Sequence, residues 1–373
     1  MTMHIVVAPD SFKGVLDARS AASAIAAGAS RACPNAVIEV VPMADGGEGT
    51  LDCVLQATPG NRRRVEAHGP LGEPLEVTVG LIHAASTAIV ELALAAGHAL
   101  VPADGRNPLN TTTYGVGEVM RSACAAGIDE VVVAVGGSAT VDGGAGMMQA
   151  LGLTLLDRLG RPIPSPIGGG RLLEVDRLIW SDPPHNLEDI RFTVACDVLN
   201  PLCGPNGAAE IFGPQKGADP GTVKILARGL EHWADTLEHF CGRTVRHEPG
   251  CGAAGGVAAP LLALCRAEIV PGVDFVIELN GLRDRIGRAS LVLTGEGRLD
   301  AQSLMGKVVG AIGRIARSAD VPCIALVGEV DSESKSCLQA LDRVLALNAP
   351  LEETASRLTI LAEDAVRDYC RSI

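Results

Sequence analysis

Aromatic side chains make up only 2% of the 373 residues. No segment reaches the roughly 18 uninterrupted apolar residues that a membrane span needs. Basic residues are also in deficit, 31 against 44 acidic, for a formal net charge of -13. A chain with neither a basic stripe nor rings to stack bases is not expected to bind nucleic acid. A small anionic substrate remains open, because cations gathered in one cleft override the global field locally. The 11 cysteines include no C-x-x-C pair; the nearest neighbours are Cys196 and Cys203, then Cys241 and Cys251. That pattern fits neither a zinc site nor a disulfide framework, and it reads as small buried hydrophobes in a reducing compartment. The first residues, "MTMHIVVAPDSFKG", carry no basic n-region and too short an apolar run for a signal peptide. A cytoplasmic protein without a membrane partner is the expectation.

Two nucleotide motifs are missing as well. The "GK" at Gly306 and Lys307 has Ala301 where a P-loop needs its first glycine, and Val308 follows the lysine. "GVGEVM" ends in Met120 where G-x-G-x-x-G needs a glycine. Neither a P-loop NTPase nor an ordinary dinucleotide fold is supported.

What the chain has in abundance is Ala, Val, Leu and Gly, a mixture suited to buried parallel strands covered by closely packed helices. "HIVVAPD" reads as a strand, residues 17–33 as a helix capped by Asp17, and "AVIEVVPMADGGEGT" as a second strand with an acidic turn before the helix "TLDCVLQAT". Residues 62–83 alternate around "GPLGEP", as an antiparallel hairpin does. "YGVGEVMRSACAAG" reads as a helix, "GLTLLDRLGRPI" as another hairpin around Leu159 and Gly160, and "IRFTVACDV" as a strand. The strand–helix rhythm returns with "ASLVLTGEGRLD", "GKVVGAIGRIARSAD", "VPCIALVGEV", "LDRVLALN" and a final helix. Similar ends and a different middle predict an α/β fold: a doubly wound parallel-sheet domain from residues 1–62 and 288–373, with a mixed α/β domain, 63–287, inserted.

Four segments just past apolar strands share one grammar: "APDSFKG", "ADGGEGT", "GGSATVDGGAG" and "TGEGRLD". Each joins carboxylates to glycine or small residues, and the carboxyl ends of strands are where open α/β sheets bind ligands. Glycines let backbone N–H groups close on phosphate oxygens, while carboxylates hold Mg²⁺ or accept a hydroxyl proton. In "CDVLNPLCGPNGAAEIFGPQKGA", Asp197, Asn200, Gln215 and Lys216 are a set suited to phosphoryl transfer, or incidental polar residues of a Pro/Gly-rich loop. Ser138 admits three readings: a phosphate-binding hydroxyl with Thr140, a helix cap, or a hydrolytic nucleophile, although G-x-S-x-G fails at Thr140. His232 and His239 read as part of a solvated helix face.

Taken in order, "APDSFKG", "PMADGGEGT", "TYGVGE", "GGSATVDGGAGM", "CDVLNPLCG", "GPQKGA", "GAAGG" and "LTGEGRLDAQSL" resemble the type I glycerate kinases over nearly the whole chain. The resemblance implies a discontinuous Rossmann/flavodoxin-like domain carrying an insert, and ATP-dependent, Mg²⁺-assisted phosphorylation of D-glycerate, usually at the 2-hydroxyl, by a monomer or homodimer. Phosphorylation at the 3-hydroxyl is the alternative. Two departures touch loop shape: no proline follows the lysine of "LMGKVVGAIG", and Cys251 and Pro260 stand in a usually small-residue stretch. Under the resemblance, Asp197 is the leading base with Asp45 second, and Lys13 is a catalytic cation. Asp10, Ser11, Glu48, Glu296, Arg298 and Asp300 are candidate substrate ligands, with Arg298 suited to a carboxylate and Asp10, Glu48, Glu296 and Asp300 open to substrate hydroxyls or Mg²⁺. Gly136, Gly137, Ser138, Thr140, Asp142, Asn200, Gln215 and Lys216 are candidates for the ATP phosphates, with Asp197 or Asp142 on the metal.

Overall fold

The computed structural model describes residues 2–12, 14–180, 182–184, 187–300, 307–331, 340–347 and 353–372. Numbered in chain order, the strands are β1 (His4–Val7), β2 (Val37–Val40), β3 (Gly60–His68), β4 (Pro74–Ile82), β5 (Thr87–Glu91), β6 (Glu130–Ala134), β7 (Leu153–Leu156), β8 (Arg177–Trp180), β9 (Arg191–Ala195), β10 (Glu268–Val270), β11 (Leu291–Leu299), β12 (Cys323–Val330) and β13 (Arg343–Ala346). The chain divides into two compact units, Met1–Pro59 with Pro271–Ile373, and Gly60–Val270.

The first unit holds a five-stranded sheet in the order β13-β12-β11-β1-β2, parallel throughout. This is the flavodoxin-like order, and its switch point lies between β1 and β11, where successive strands depart in opposite directions. Alternate strand residues point to opposite faces. Ile5, Val7, Leu291, Leu293, Ile324 and Leu326 therefore share a face, which is covered by apolar residues of the helices Ala18–Ala32 and Thr354–Ser372. Asp17 caps the first of these helices, its carboxylate accepting the Ser20 N–H at 2.6 Å.

Two sequence expectations change in this unit. Residues 271–287, read as part of the insert, pack here: the Thr58 hydroxyl donates to the Leu279 carbonyl at 3.1 Å and Arg285 pairs with Glu39. Residues 60–62 begin a strand of the other unit instead. "TGEGRLD", read as a strand-end loop, is mostly strand. β12 runs for eight residues and keeps pairing with β11 at Glu296↔Val327, Arg298↔Glu329 and Leu299↔Val330.

The second unit is built on a six-stranded mixed sheet, β10-β9-β6-β5-β4-β3. From β10 to β5 the pairing is parallel; β4 and β3 are the expected hairpin, closing the sheet antiparallel. The hairpin expected at residues 152–163 is present but short, with the Asp157 N–H donating to the Arg161 carbonyl and the Ile163 N–H to the Leu155 carbonyl. Asp157 accepts the N–H groups of Leu159 and Arg161, each at 2.9 Å. Prolines 162 and 164 cannot donate to a ladder, so the returning limb makes one bridge and β7 pairs with β8 instead. Trp233, fully buried on the helix Pro220–Cys241, anchors the core of this unit.

Candidate active site

Each unit presents its ligand-type residues at the carboxyl ends of parallel strands. In the first unit the Asp10 N–H donates to the Gly295 carbonyl at 2.8 Å, so Asp10, three residues past the end of β1, lies beside the β11 segment that carries Glu296. Both are 8% exposed. The Asp10 carboxylate turns back to accept the Ser11 N–H at 2.6 Å. Asp45 follows β2 on the next strand over and is half-buried, and Glu48 of the same turn is exposed. Arg298 is exposed and pairs with Asp331 at 2.9 Å, and Asp300 follows the end of β11. Lys13 lies outside the described residues.

The second unit holds the glycine loop. Residues 135–144 leave β6, and β9 runs beside it with Ala134 opposite Ala195. Two residues further on, each strand end reaches a site residue: Gly136 on one and the exposed Asp197 on the other. The loop is clasped from several sides. The N–H groups of His98 and Ala139 exchange bonds with Gly137 and Ala96, both at 2.8 Å. The Thr111 hydroxyl donates to the Ala139 carbonyl at 3.0 Å, and the Trp233 indole donates to the Gly143 carbonyl at 2.9 Å. Gly255, with φ +75°, passes so close that a Cβ there would lie 2.0 Å from the Thr140 carbonyl oxygen. That contact explains the glycine at this point of "GAAGG".

Asp142 is fully buried at the heart of the loop. One oxygen accepts the N–H and hydroxyl of Thr113 at 2.8 and 2.7 Å and the Gly146 N–H at 3.3 Å; the other accepts the Gly144 N–H at 3.1 Å. Burial pushes its pKa up and these donors oppose the shift. With both oxygens engaged, Asp142 organises the loop. Asn200 likewise serves its own turn, donating to the Asn206 carbonyl at 2.9 Å.

Lys216 and Gln215 are neighbours with opposite fates. Gln215 is exposed, whereas Lys216 is 3% exposed. The Lys216 ammonium donates to the Ser138 hydroxyl at 2.7 Å and to the Thr140 carbonyl at 2.8 Å. Burial lowers its pKa to about 7, and Asp142 opposes the fall only in part. The Thr140 hydroxyl is buried without a partner among the described residues. A buried cation, an unengaged hydroxyl and a glycine loop at a strand end form an arrangement suited to phosphate oxygens.

Residues 5–372 match the glycerate kinase family. The chain belongs to that family. The Bacillus subtilis (strain 168) glycerate kinase is 41% identical over 375 residues, covering 100% of this chain and 98% of that protein. The Escherichia coli (strain K12) glycerate 2-kinase is 42% identical over 331 residues, covering 89% and 86%. A crystal structure provisionally described as glycerate kinase 2, from Salmonella typhimurium LT2, superposes with a TM-score of 0.89 at 37% identity, covering 100% of this chain and 99% of that one.

Several residues around the loop of this glycerate kinase fold are not singled out by the sequence motifs. Thr111 and Thr113 hold it from below, and a run of three threonines ahead of a helix was the available signal. Glu91, 4% exposed, ends β5 next to β6. His98 and Arg106 also adjoin the loop region, as described below. His232 is not a solvated face residue, since its ring lies 2.6 Å from the Val175 carbonyl; His239 is exposed.

Proposed function

We propose that this chain transfers the terminal phosphoryl group of ATP to the 2-hydroxyl of D-glycerate, giving 2-phosphoglycerate and ADP. Family membership supports the class of reaction, and the name of the Escherichia coli relative supports the 2-position. The observation that carries the reading at the level of residues is the Lys216–Ser138–Thr140 cluster on the glycine loop.

In this reading the loop of Gly136, Gly137, Ser138 and Thr140 cradles the donor phosphates, with Lys216 neutralising charge as it develops on them. Asp197, at the strand end beside the loop, accepts the proton of the attacking hydroxyl; Asp45 is the second candidate. Asp10, Ser11, Glu48, Glu296, Asp300 and Arg298 are proposed to orient glycerate, and Lys13 to supply a further cation. Magnesium with a nucleotide needs only one or two protein carboxylates beside the phosphates, a requirement that Asp197 fits. When bound it would draw charge from the phosphate oxygens.

The geometry also favours a second reading in one respect. A serine hydroxyl 2.7 Å from a lysine amine of lowered pKa is the pairing of a Ser–Lys hydrolase. One experiment separates the two. Purified protein with ATP, Mg²⁺ and D-glycerate should release ADP only when all three are present. A fluorophosphonate adduct at Ser138, without glycerate-dependent ADP release, would replace the kinase reading with the hydrolase.

A further inference from the structure

Two basic residues, an arginine and a histidine, that no sequence motif singled out converge on the same loop. His98 is tied to it through its own N–H, which donates to the Gly137 carbonyl at 2.8 Å, within the bridge between Gly97 and Ser138. Arg106 is held from the other side. Gly217, immediately after Lys216, has φ +96°, and a Cβ added to it would lie 2.3 Å from the Arg106 carbonyl oxygen and 2.9 Å from the Arg106 Cβ. Only glycine permits that approach, and it sets the root of the Arg106 side chain beside the Lys216 turn. The Arg106 Nε is buried and has no partner among the described residues. The His98 imidazole has its pKa lowered by burial and then by the charges of Arg106 and Lys216, so all three groups share one electrostatic neighbourhood.

Such a grouping is unfavourable by itself. Among the described residues Lys216 donates to neutral oxygens, and Asp142, the carboxylate that acts on it, is already engaged by four donors. Basic groups brought together in a poorly hydrated place, each disfavouring the protonated form of the others, call for an anion from outside. We propose that Arg106 and His98, with Lys216, form an oxyanion pocket that binds the phosphate tail of the donor nucleotide. This rests on the kinase reading for the identity of the donor. A triphosphate tail carries several negative charges and can answer all of these groups, whereas the single carboxylate of glycerate cannot. The planar guanidinium suits two phosphate oxygens at once, while the lysine acts as a point charge. The neighbouring hydroxyls of Ser138 and Thr140 can add donors to the same oxygens.

The test is calorimetric titration of the full chain at pH 7 with inorganic tripolyphosphate, ADP and adenosine, for wild type, Arg106→Gln, Arg106→Lys and His98→Gln. Arg106→Gln should weaken tripolyphosphate and ADP about ten- to hundredfold, and His98→Gln by a smaller factor. Arg106→Lys, which keeps the charge and guards against a folding defect, should fall between Gln and wild type. Adenosine binding and the KM for D-glycerate should not move. Unchanged tripolyphosphate affinity in Arg106→Gln overturns the proposal. So does a raised KM for D-glycerate with unchanged tripolyphosphate affinity, since the pocket would then hold the substrate carboxylate. A wild type that binds tripolyphosphate through Arg106 yet forms no phosphoglycerate would overturn the kinase reading and leave the oxyanion pocket standing.

Discussion

The Lys216 ammonium lies 2.7 Å from the Ser138 hydroxyl and is almost completely buried. With a pKa lowered to about 7 in the folded chain and an ordinary value of 10.5 when unfolded, the unfolded chain holds the extra proton between those limits. Stability therefore rises as pH rises through that window, by at most about 1.4 kcal/mol per pH unit from this group. Lys216→Met should flatten that slope in urea denaturation measured from pH 7 to 10, raise stability at pH 7, and cut kcat by at least tenfold. A Lys216→Met variant that retained the wild-type pH slope would show that Lys216 is not the titrating group.

An anion bound beside Lys216 favours its protonated form. Below pH 7 the ammonium is already charged; above it, binding must bring a proton. Affinity for ADP should therefore decline as pH rises above 7. Titrations in buffers of different ionisation enthalpy should reveal proton uptake on binding at pH 8. No uptake would mean that the phosphates do not reach Lys216.

Asp142→Asn should be among the more destabilising single substitutions in the second unit. The amide NH₂ would face N–H and O–H donors, removing charge-assisted bonds from Thr113, Gly144 and Gly146 at a cost of roughly 2–4 kcal/mol. Urea midpoints for Asp142→Asn and wild type check this directly.

Asp197→Asn should lower kcat by roughly 10²–10⁴-fold with little change in either KM if Asp197 is the base. If the carboxylate instead serves the metal, raising Mg²⁺ will recover much of the lost rate. Near-normal kcat at ordinary Mg²⁺ would move the base assignment to Asp45.

Much of this arrangement was legible in the sequence, because it is written in local patterns. β1, β6, β9 and β12 are short apolar runs ending at Gly, Pro or Asp, and the "GPLGEP" hairpin announces itself by alternation. The glycine loop was readable as a loop because Gly-Gly-Ser follows an apolar strand and precedes a helix, while the use of Ser138 stayed open among three readings. What escaped depends on contacts distant in sequence. β11 continues through "GEGR" because β12 offers it a partner, and β7 chooses β8 because prolines disable the nearer limb. The difference between Gln215 and Lys216 is one residue of chain but opposite directions, set by a turn rather than by composition. His98 and Arg106 belong to no motif, and only the close approach of Gly217 and the bridge at Ser138 bring them to the loop. The bonds that Asp142 accepts from Thr113 span 29 residues, so its engagement within the loop was not legible locally.

The central claim is the identity of the reaction, and the most direct measurement is an enolase-coupled assay with ATP, Mg²⁺ and D-glycerate, run with and without phosphoglycerate mutase. Phosphorylation at the 2-hydroxyl predicts full signal without the mutase, since enolase consumes 2-phosphoglycerate directly. A signal that requires the mutase would place the phosphoryl group on the 3-hydroxyl, and the absence of signal under both conditions, with active coupling enzymes, would contradict the account.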